Sequence, residues 1–248
     1  MTKQNRHYAG NCEHTGSYYV ASANNKSLRG QLDGDHEVDV CVVGGGYSGL
    51  STTLHLTERG YKVSLLEGAR IGWGASGRNG GQIVNGLNAS LGVIEKRYGN
   101  EFALFVGKLV QEGGQIIRGN IAKYNIECNL KEGNLFAAYT QKHLRELETK
   151  QKLWRRHGMD DHEILSKEDM RQFVGSDVYS GGMIDKTGGH IHPLNLALGE
   201  ADAIERNGGK IFEMTRMQSM EKRGQDIIVT TDNGTVRCKK LVICGNAY

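Results

Sequence analysis

Residues 38–67 constrain this chain more than any other stretch. A strand-like run at 38–43, apolar except for Asp39, enters Gly44-Gly-Gly-Tyr-Ser-Gly49, where Gly44, Gly46 and Gly49 stand at G-x-G-x-x-G spacing. An amphipathic segment follows, then a second short strand-like run at 61–66 that ends in Glu67. Strand, glycine turn, helix, strand and acid in this order are the sequence form of a dinucleotide-binding βαβ unit. Gly44 permits the tight turn, Gly46 lets the backbone approach a pyrophosphate, and Gly49 lets the helix pack closely on the strand. The helix N-terminus, with Tyr47 and Ser48 in its first turn, offers N–H groups and the positive end of a dipole to phosphates. Glu67 lies where a carboxylate accepts hydrogen bonds from ribose hydroxyls. A glycine turn alone is common; the flanking strand, helix and acid make this one specific.

The chain has 248 residues, enough to bury one large core or two small ones. Its net charge of +3 is too small to indicate a nucleic-acid partner, and the basic run at 152–157 reads as a solvated helix face. No apolar run approaches the ~20 residues that span a bilayer, and residues 1–25 lack the apolar core of a signal peptide. Five scattered cysteines without a C-x-x-C indicate neither a disulfide framework nor a zinc site. That usage fits a reducing, cytoplasmic setting.

Residues 1–35 are polar and irregular and read as an arm laid over the domain or as a loosely held lead-in. Phe102, Val106, Leu109, Val110, Gly113, Ile117 and Ile121 recur at three- and four-residue steps, which predicts one long helix over 93–124 with Gly113-Gly114 as its weak point. A strand is expected at 135–139, a helix at 141–157 with Leu144, Leu147 and Trp154 inward, and a capped short helix opening at Ser166. After a strand at 179–184, Pro193 suits the first turn of a helix with Leu194, Ala197, Leu198, Ala201 and Ile204 inward. The rest reads as β, with strands at 210–220, 226–231, 235–238 and 241–244 and a hairpin turn at Asn233-Gly234.

The βαβ unit does not by itself separate FAD from NAD, although Glu67 argues against NADP because it would repel a 2′-phosphate. The loop Gly74-Ala-Ser-Gly-Arg-Asn-Gly-Gly-Gln82 adds information. Its small residues let backbone lie close to a second length of cofactor. Arg78 can offset phosphate charge, and Asn79 and Gln82 supply amide hydrogen bonds.

At these residues the chain resembles the FAD-dependent amine oxidases of the D-amino-acid oxidase/glycine oxidase superfamily. The match is carried by Gly16-Ser-Tyr-Tyr19, the block from Asp39 to Glu67, Ile71-Gly-Trp-Gly-Ala-Ser-Gly-Arg-Asn-Gly-Gly-Gln82, Gly188-Gly-His-Ile-His-Pro-Leu-Asn-Leu-Ala197 and Gly245-Asn-Ala-Tyr248. The Ser-Tyr-Tyr and His-Ile-His-Pro blocks narrow it to a branch that serves bacterial putrescine breakdown. The resemblance implies an α/β fold: a Rossmann-like FAD-binding domain of the D-amino-acid oxidase type, with an inserted, incomplete α+β substrate domain. The boundaries expected are an arm at 1–35, FAD-binding segments at 36–92 and 191–248, and a helical crossover with substrate-domain part at 93–190.

Carried over residue by residue, the resemblance assigns the pyrophosphate to Gly44, Gly46 and Gly49, and the adenosine ribose to Glu67. It runs Ser76, Arg78, Asn79 and Gln82 along the pyrophosphate toward the flavin. Met217 becomes the main-chain contact to adenine, and Gly245 falls in the last nucleotide-binding segment. Thr53 stands where these proteins usually carry Ala or Gly, which suggests looser packing. The implied reaction is oxidation of the primary amine of γ-glutamylputrescine, with release of aldehyde and ammonia and with dioxygen reduced to hydrogen peroxide. The amine reacts in its neutral form, so activity is expected to rise with pH.

His190 and His192 are better read as lining a helix start than as proton acceptors, and no catalytic base is named. Residues 241–244 read as an interior strand, and the resembled family continues well beyond Tyr248. Two other readings stay open: an oxidase of glycine, sarcosine or another amine, and a non-catalytic FAD-binding fragment. Oligomeric state and any covalent flavin link are not legible.

Overall fold

The computed structural model describes residues 12–246, so the ends of the N-terminal arm and of the Gly245-Asn-Ala-Tyr248 motif lie outside the described residues. The chain divides into two compact units. The first holds the described residues up to Asn79, Ile126–Cys128, and those from Pro193 onward; the second holds Gly80–Asn125 and Asn129–His192.

In the first unit, a short helix α1 (Tyr18–Ala21) precedes strand β1 (Gly34–Val43), helix α2 (Tyr47–Glu58) and strand β2 (Val63–Leu66). The second unit contributes β3 (Gln82–Ile83), α3 (Leu91–Tyr98), α4 (Asn100–Tyr124), β4 (Lys131–Ala138), α5 (Gln141–Arg156), β5 (His162–Leu165), α6 (Lys167–Met170) and β6 (Gly181–His190). The chain then returns through α7 (Pro193–Arg206), β7 (Lys210–Phe212), β8 (Ser219–Arg223), β9 (Asp226–Thr230) and β10 (Gly234–Ile243).

The six-stranded sheet of the first unit has the order β7-β2-β1-β10-β9-β8. Its first four strands are parallel, and β9 and β8 complete it antiparallel. A parallel strand needs both faces covered, which is why β2 is buried at every residue. On α2 the buried positions are Gly49, Leu50, Thr53, Leu54 and Thr57, one face at helical spacing. Leu50 and Leu54 are fully buried, each contributing roughly 1.5–3 kcal/mol. Thr53 is buried with its hydroxyl satisfied, donating to the Gly49 carbonyl at 2.7 Å. A second core layer joins Leu32, Cys41, Leu66, Val229, Val236 and Cys238. The expected hairpin at Asn233-Gly234 joins β9 to β10.

The second unit is built on β6, which pairs antiparallel with β3, β4 and β5. Its core gathers Leu91, Ile94, Ala103, Val106, Trp154, Met159 and Met183. Ser166 caps α6 in a full capping box with Asp169, as expected. The long helix expected over 93–124 is instead two helices. The break falls at Gly99, whose φ of 89° suits glycine, while Gly113 and Gly114 lie inside α4. The inner face also differs: Ala103, Val106, Gly107 and Gly114 are buried, while Phe102 and Leu109 are exposed. Close approach explains the choice of small residues. A Cβ on Gly107 would meet the His157 carbonyl at 2.6 Å, so bulky side chains are turned outward.

Candidate functional site

The C-terminal ends of β1 and β2 and the turn between β1 and α2 form one wall of a cavity of about 660 Å³ in the first unit. A void of this size holds a small organic ligand. It is lined by residues 43–48, 66–69, 73–76, 215–217 and 243–246, together with Cys12.

The turn is shaped by contacts that exclude side chains. Gly44 has φ 110°, and a Cβ there would lie 2.5 Å from the Cys244 carbonyl oxygen. A Cβ on Gly49 would lie 1.8 Å from the Gly44 carbonyl oxygen, so helix and turn touch backbone to backbone. Gly46 begins α2 without a side-chain cap of its own. Ser76 takes up that role in part, its Oγ accepting from the Tyr47 N–H at 3.0 Å. The helix thus presents its positive end to the cavity, beside the hydroxyls of Ser48 and Ser76.

Glu67 holds the turn from below. One carboxylate oxygen accepts from the Gly45 N–H at 2.6 Å, the other from the Ala69 N–H at 2.7 Å. Burial pushes its pKa up, and the two backbone donors counter part of that push. A carboxylate has about four acceptor positions, so capacity remains for a ribose. Tyr47 closes the side: its hydroxyl donates to the Pro193 carbonyl at 3.0 Å, and burial raises its pKa.

Among the residues singled out from sequence, the structure brings Gly44, Gly46, Tyr47, Ser48, Glu67, Ser76, Met217 and Gly245 together on the cavity wall. Four others stand elsewhere. Gly49 is buried beneath the turn, where its task is packing. Arg78 is exposed, its guanidinium 5.1 Å from the centroid of Trp73 and bonded to the Gly74 carbonyl. Asn79 ties the loop through the carbonyls of Ala75 and Ser76. Gln82 belongs to the second unit, exposed on β3 opposite His190. His192 is buried before Pro193, and burial lowers its pKa.

Several wall residues carried no weight in the sequence. Gly45 has no place in the G-x-G-x-x-G pattern, yet a Cβ there would meet Ile71 Cδ1 at 2.6 Å and Glu67 Oε2 at 3.0 Å. Its signal was the unbroken run of three glycines. Thr215, Arg216 and Cys12 also line the cavity and belong to no motif, and Trp73 lines it without an assigned role in the Ile71–Gln82 block. All five cysteines are free thiols, and no metal-binding cluster occurs among the described residues.

A parallel sheet with a glycine turn, a helix N-terminus without a side-chain cap of its own and a carboxylate at the end of the next strand defines a dinucleotide-binding α/β protein. The chain belongs to the FAD dependent oxidoreductase family, whose model matches residues 39–248. Gamma-glutamylputrescine oxidoreductase of Escherichia coli K12 is 48% identical over 236 residues, 95% of this chain and 55% of that protein. The probable oxidoreductase OrdL of Haemophilus influenzae is 36% identical, over 95% of this chain and 55% of its own length. The chain therefore spans about half the length of the curated relatives it matches.

Among solved structures, glycine oxidase from Geobacillus kaustophilus is similar with a TM-score of 0.65 at 23% identity, covering 86% of this chain and 56% of that one. L-amino acid deaminase from Proteus myxofaciens gives 0.72 at 20% identity, covering 91% and 49%. These show the fold, and it is the α/β fold of D-amino-acid oxidase type expected from sequence. The narrower resemblance expected from sequence agrees with the 48% identity to the Escherichia coli relative. The cofactor is FAD. The residues present fit its adenosine diphosphate end, because the space beside Gly44, Gly45 and Gly46 is backbone-lined and faces a helix N-terminus.

Proposed function

We propose that this chain forms the cofactor-binding part of a cytoplasmic flavin oxidase that converts the primary amine of γ-glutamylputrescine to an aldehyde, releasing ammonia. One observation carries the reading: the 48% identity to gamma-glutamylputrescine oxidoreductase extends over 95% of the chain. FAD, when bound, supplies the two-electron acceptor, and dioxygen is the final oxidant, reduced to hydrogen peroxide.

The chain's own residues hold that group. The N–H groups at the start of α2 and the hydroxyls of Ser48 and Ser76 would meet the pyrophosphate, and the dipole of α2 would favour its charge. Glu67 accepts from the adenosine ribose with the lone pairs that Gly45 and Ala69 leave free. Met217 would meet adenine, and Gly245 would let the chain pass close to the cofactor. Arg78 and Asn79 shape the loop that continues toward the flavin, with Gln82 beyond it. No residue of this chain is assigned the proton transfer.

The test is a panel of amines offered to a chain carrying the full length of the relatives, with peroxide release as the readout. γ-Glutamylputrescine is expected to be the preferred substrate. Preference for glycine or sarcosine would replace it with an amino-acid oxidase reading. No peroxide from any amine, in a protein that binds FAD stoichiometrically, would favour a binding role without catalysis.

A further inference from the structure

The βαβ unit accounts for the floor of the cavity but not for the arm that reaches it. Residues 12–33 cross the first unit with α1 as their one helix. The later part of this arm is pinned at several points. Arg29 pairs with Asp202 and with Glu205, Asn24 binds Asn195 and the Glu127 carbonyl, and the Leu32 N–H donates to Thr215 Oγ1. Thr215 itself lines the cavity.

The early part of the arm meets the cavity wall at Glu13. Its carboxylate accepts from Arg70 Nη1 at 3.0 Å, and its carbonyl accepts from Trp73 Nε1 at 3.0 Å. Arg70 is buried, and its charge is permanent, so it must be met on several sides. Nε donates to Glu213 at 3.2 Å, and Nη2 reaches the carbonyls of Lys26 and Ser27 at 3.3 Å. Glu213 in turn accepts from the N–H groups of Ile71 and Arg29. Ile71 is the side chain that fits under Gly45, and the Gly72 N–H donates to the Gly45 carbonyl at 2.9 Å. One charge network centred on buried Arg70 and Glu213 therefore joins the arm to the loop that carries the glycine turn. Cys12 and Trp73, on either side of the Glu13–Trp73 bond, both face the cavity.

We propose that residues 12–33 are a strap whose start, at Cys12, closes one side of the dinucleotide cavity, and that Glu13 is its positioning residue, holding Arg70 and Trp73 in place for the ligand. This rests on the dinucleotide reading of the cavity. A ligand that fills the space touches the strap at Cys12 and the loop at Trp73, so it closes the strap; a strap without its latch weakens the ligand. Coupling of this kind is reciprocal.

The test uses the 248-residue chain, ADP as the probe, and thiol alkylation read separately at Cys12 and Cys244 by peptide mass. Both thiols line the cavity, Cys244 at the end of β10 and Cys12 on the strap. ADP is expected to slow labelling at both. Glu13→Ala and Trp73→Phe, each removing one latch bond, are expected to speed labelling of Cys12 in the free protein and to weaken ADP binding roughly fivefold, the scale of a half-exposed ion pair. Saturating ADP should still protect Cys244 in both variants, which shows that they are folded. Protection of Cys244 without Cys12 overturns the strap and leaves the cavity reading intact. Unchanged ADP affinity and Cys12 labelling in both variants also overturns it. Protection of neither thiol removes the cavity reading and the strap with it.

Discussion

Gly49 and Asp185 show how single residues set local structure through what surrounds them. At Gly49 a methyl group would sit 1.8 Å from the Gly44 carbonyl, a backbone atom that cannot swing away. Gly49→Ala is therefore expected to lower unfolding stability by about 3 kcal/mol, at the upper end for overpacking, and to abolish ADP binding. Urea denaturation with an ADP titration checks both. This residue was fully legible, because G-x-G-x-x-G spacing encodes the backbone contact. Asp185 was not legible, since its partners come from distant segments. It is buried and accepts from the Thr187 N–H and hydroxyl, the Gly188 N–H and Asn85 Nδ2, with His162 Nε2 3.7 Å away. Burial alone would raise its pKa, but the nearby His162 ring and the bonds from Thr187 outweigh burial and hold it below the ordinary carboxylate range. A lowered folded pKa means stability that is present above the ordinary carboxylate range and is lost as pH falls through the folded value. Asp185→Asn turns an amide toward donors, so a loss of about 2–3 kcal/mol is expected near neutral pH. The variant should also lack this group's acid-dependent slope; an unfolding series from pH 3 to 7 (roughly the carboxylate range) reads both effects.

At the scale of elements, two adjacent glycines inside α4 make opposite predictions. Gly113 is exposed, and a methyl group added there would meet nothing within 4 Å, so only helix propensity acts. Gly113→Ala is expected to stabilise by about 0.5–1 kcal/mol. A Cβ on Gly114 would meet Asn85 Oδ1 at 2.8 Å, and Asn85 is bonded to Asp185 and Thr187. Gly114→Ala is expected to destabilise by about 1–3 kcal/mol, because the displaced amide belongs to a buried network. Thermal unfolding of the two variants side by side decides it; equal shifts would remove the packing argument. Periodicity located this helix but misplaced its break and its inner face. The period counts large apolar residues, whereas α4 approaches its neighbours through Ala103, Gly107 and Gly114. The same limit applies to β10. Lys239 and Lys240 made it read as two short strands, yet it runs alongside β1 from Gly34 to Val43 as one strand, and Lys239 is held by Asp226 at 2.6 Å.

For the whole molecule, the division into two units sets where a ligand's stabilisation should appear. The cavity is lined by residues of the first unit, drawn from within 43–76, from 215–217 and from 243–246, and from the strap at Cys12. The first of these stretches was legible because a βαβ unit is local. The contributions of Thr215, Arg216 and Cys12 were not, because only the folded sheet brings β7 and its following loop beside β2. A ligand that binds the folded state stabilises by mass action, about 2.7 kcal/mol at a concentration of 100 times Kd. ADP is therefore expected to raise the unfolding midpoint and to slow amide exchange at residues 44–49, 67–76 and 215–217. The fast-exchanging amides of α5 and β4 in the second unit should keep their rates. ADP carrying an additional 2′-phosphate meets the Glu67 carboxylate where the ribose hydroxyls would sit, so it should bind more weakly by about tenfold or more. Hydrogen exchange with both nucleotides at matched concentrations distinguishes the outcomes. Protection spread equally over both units would contradict a cavity confined to the first, and equal protection by the two nucleotides would contradict the placement of the ribose at Glu67.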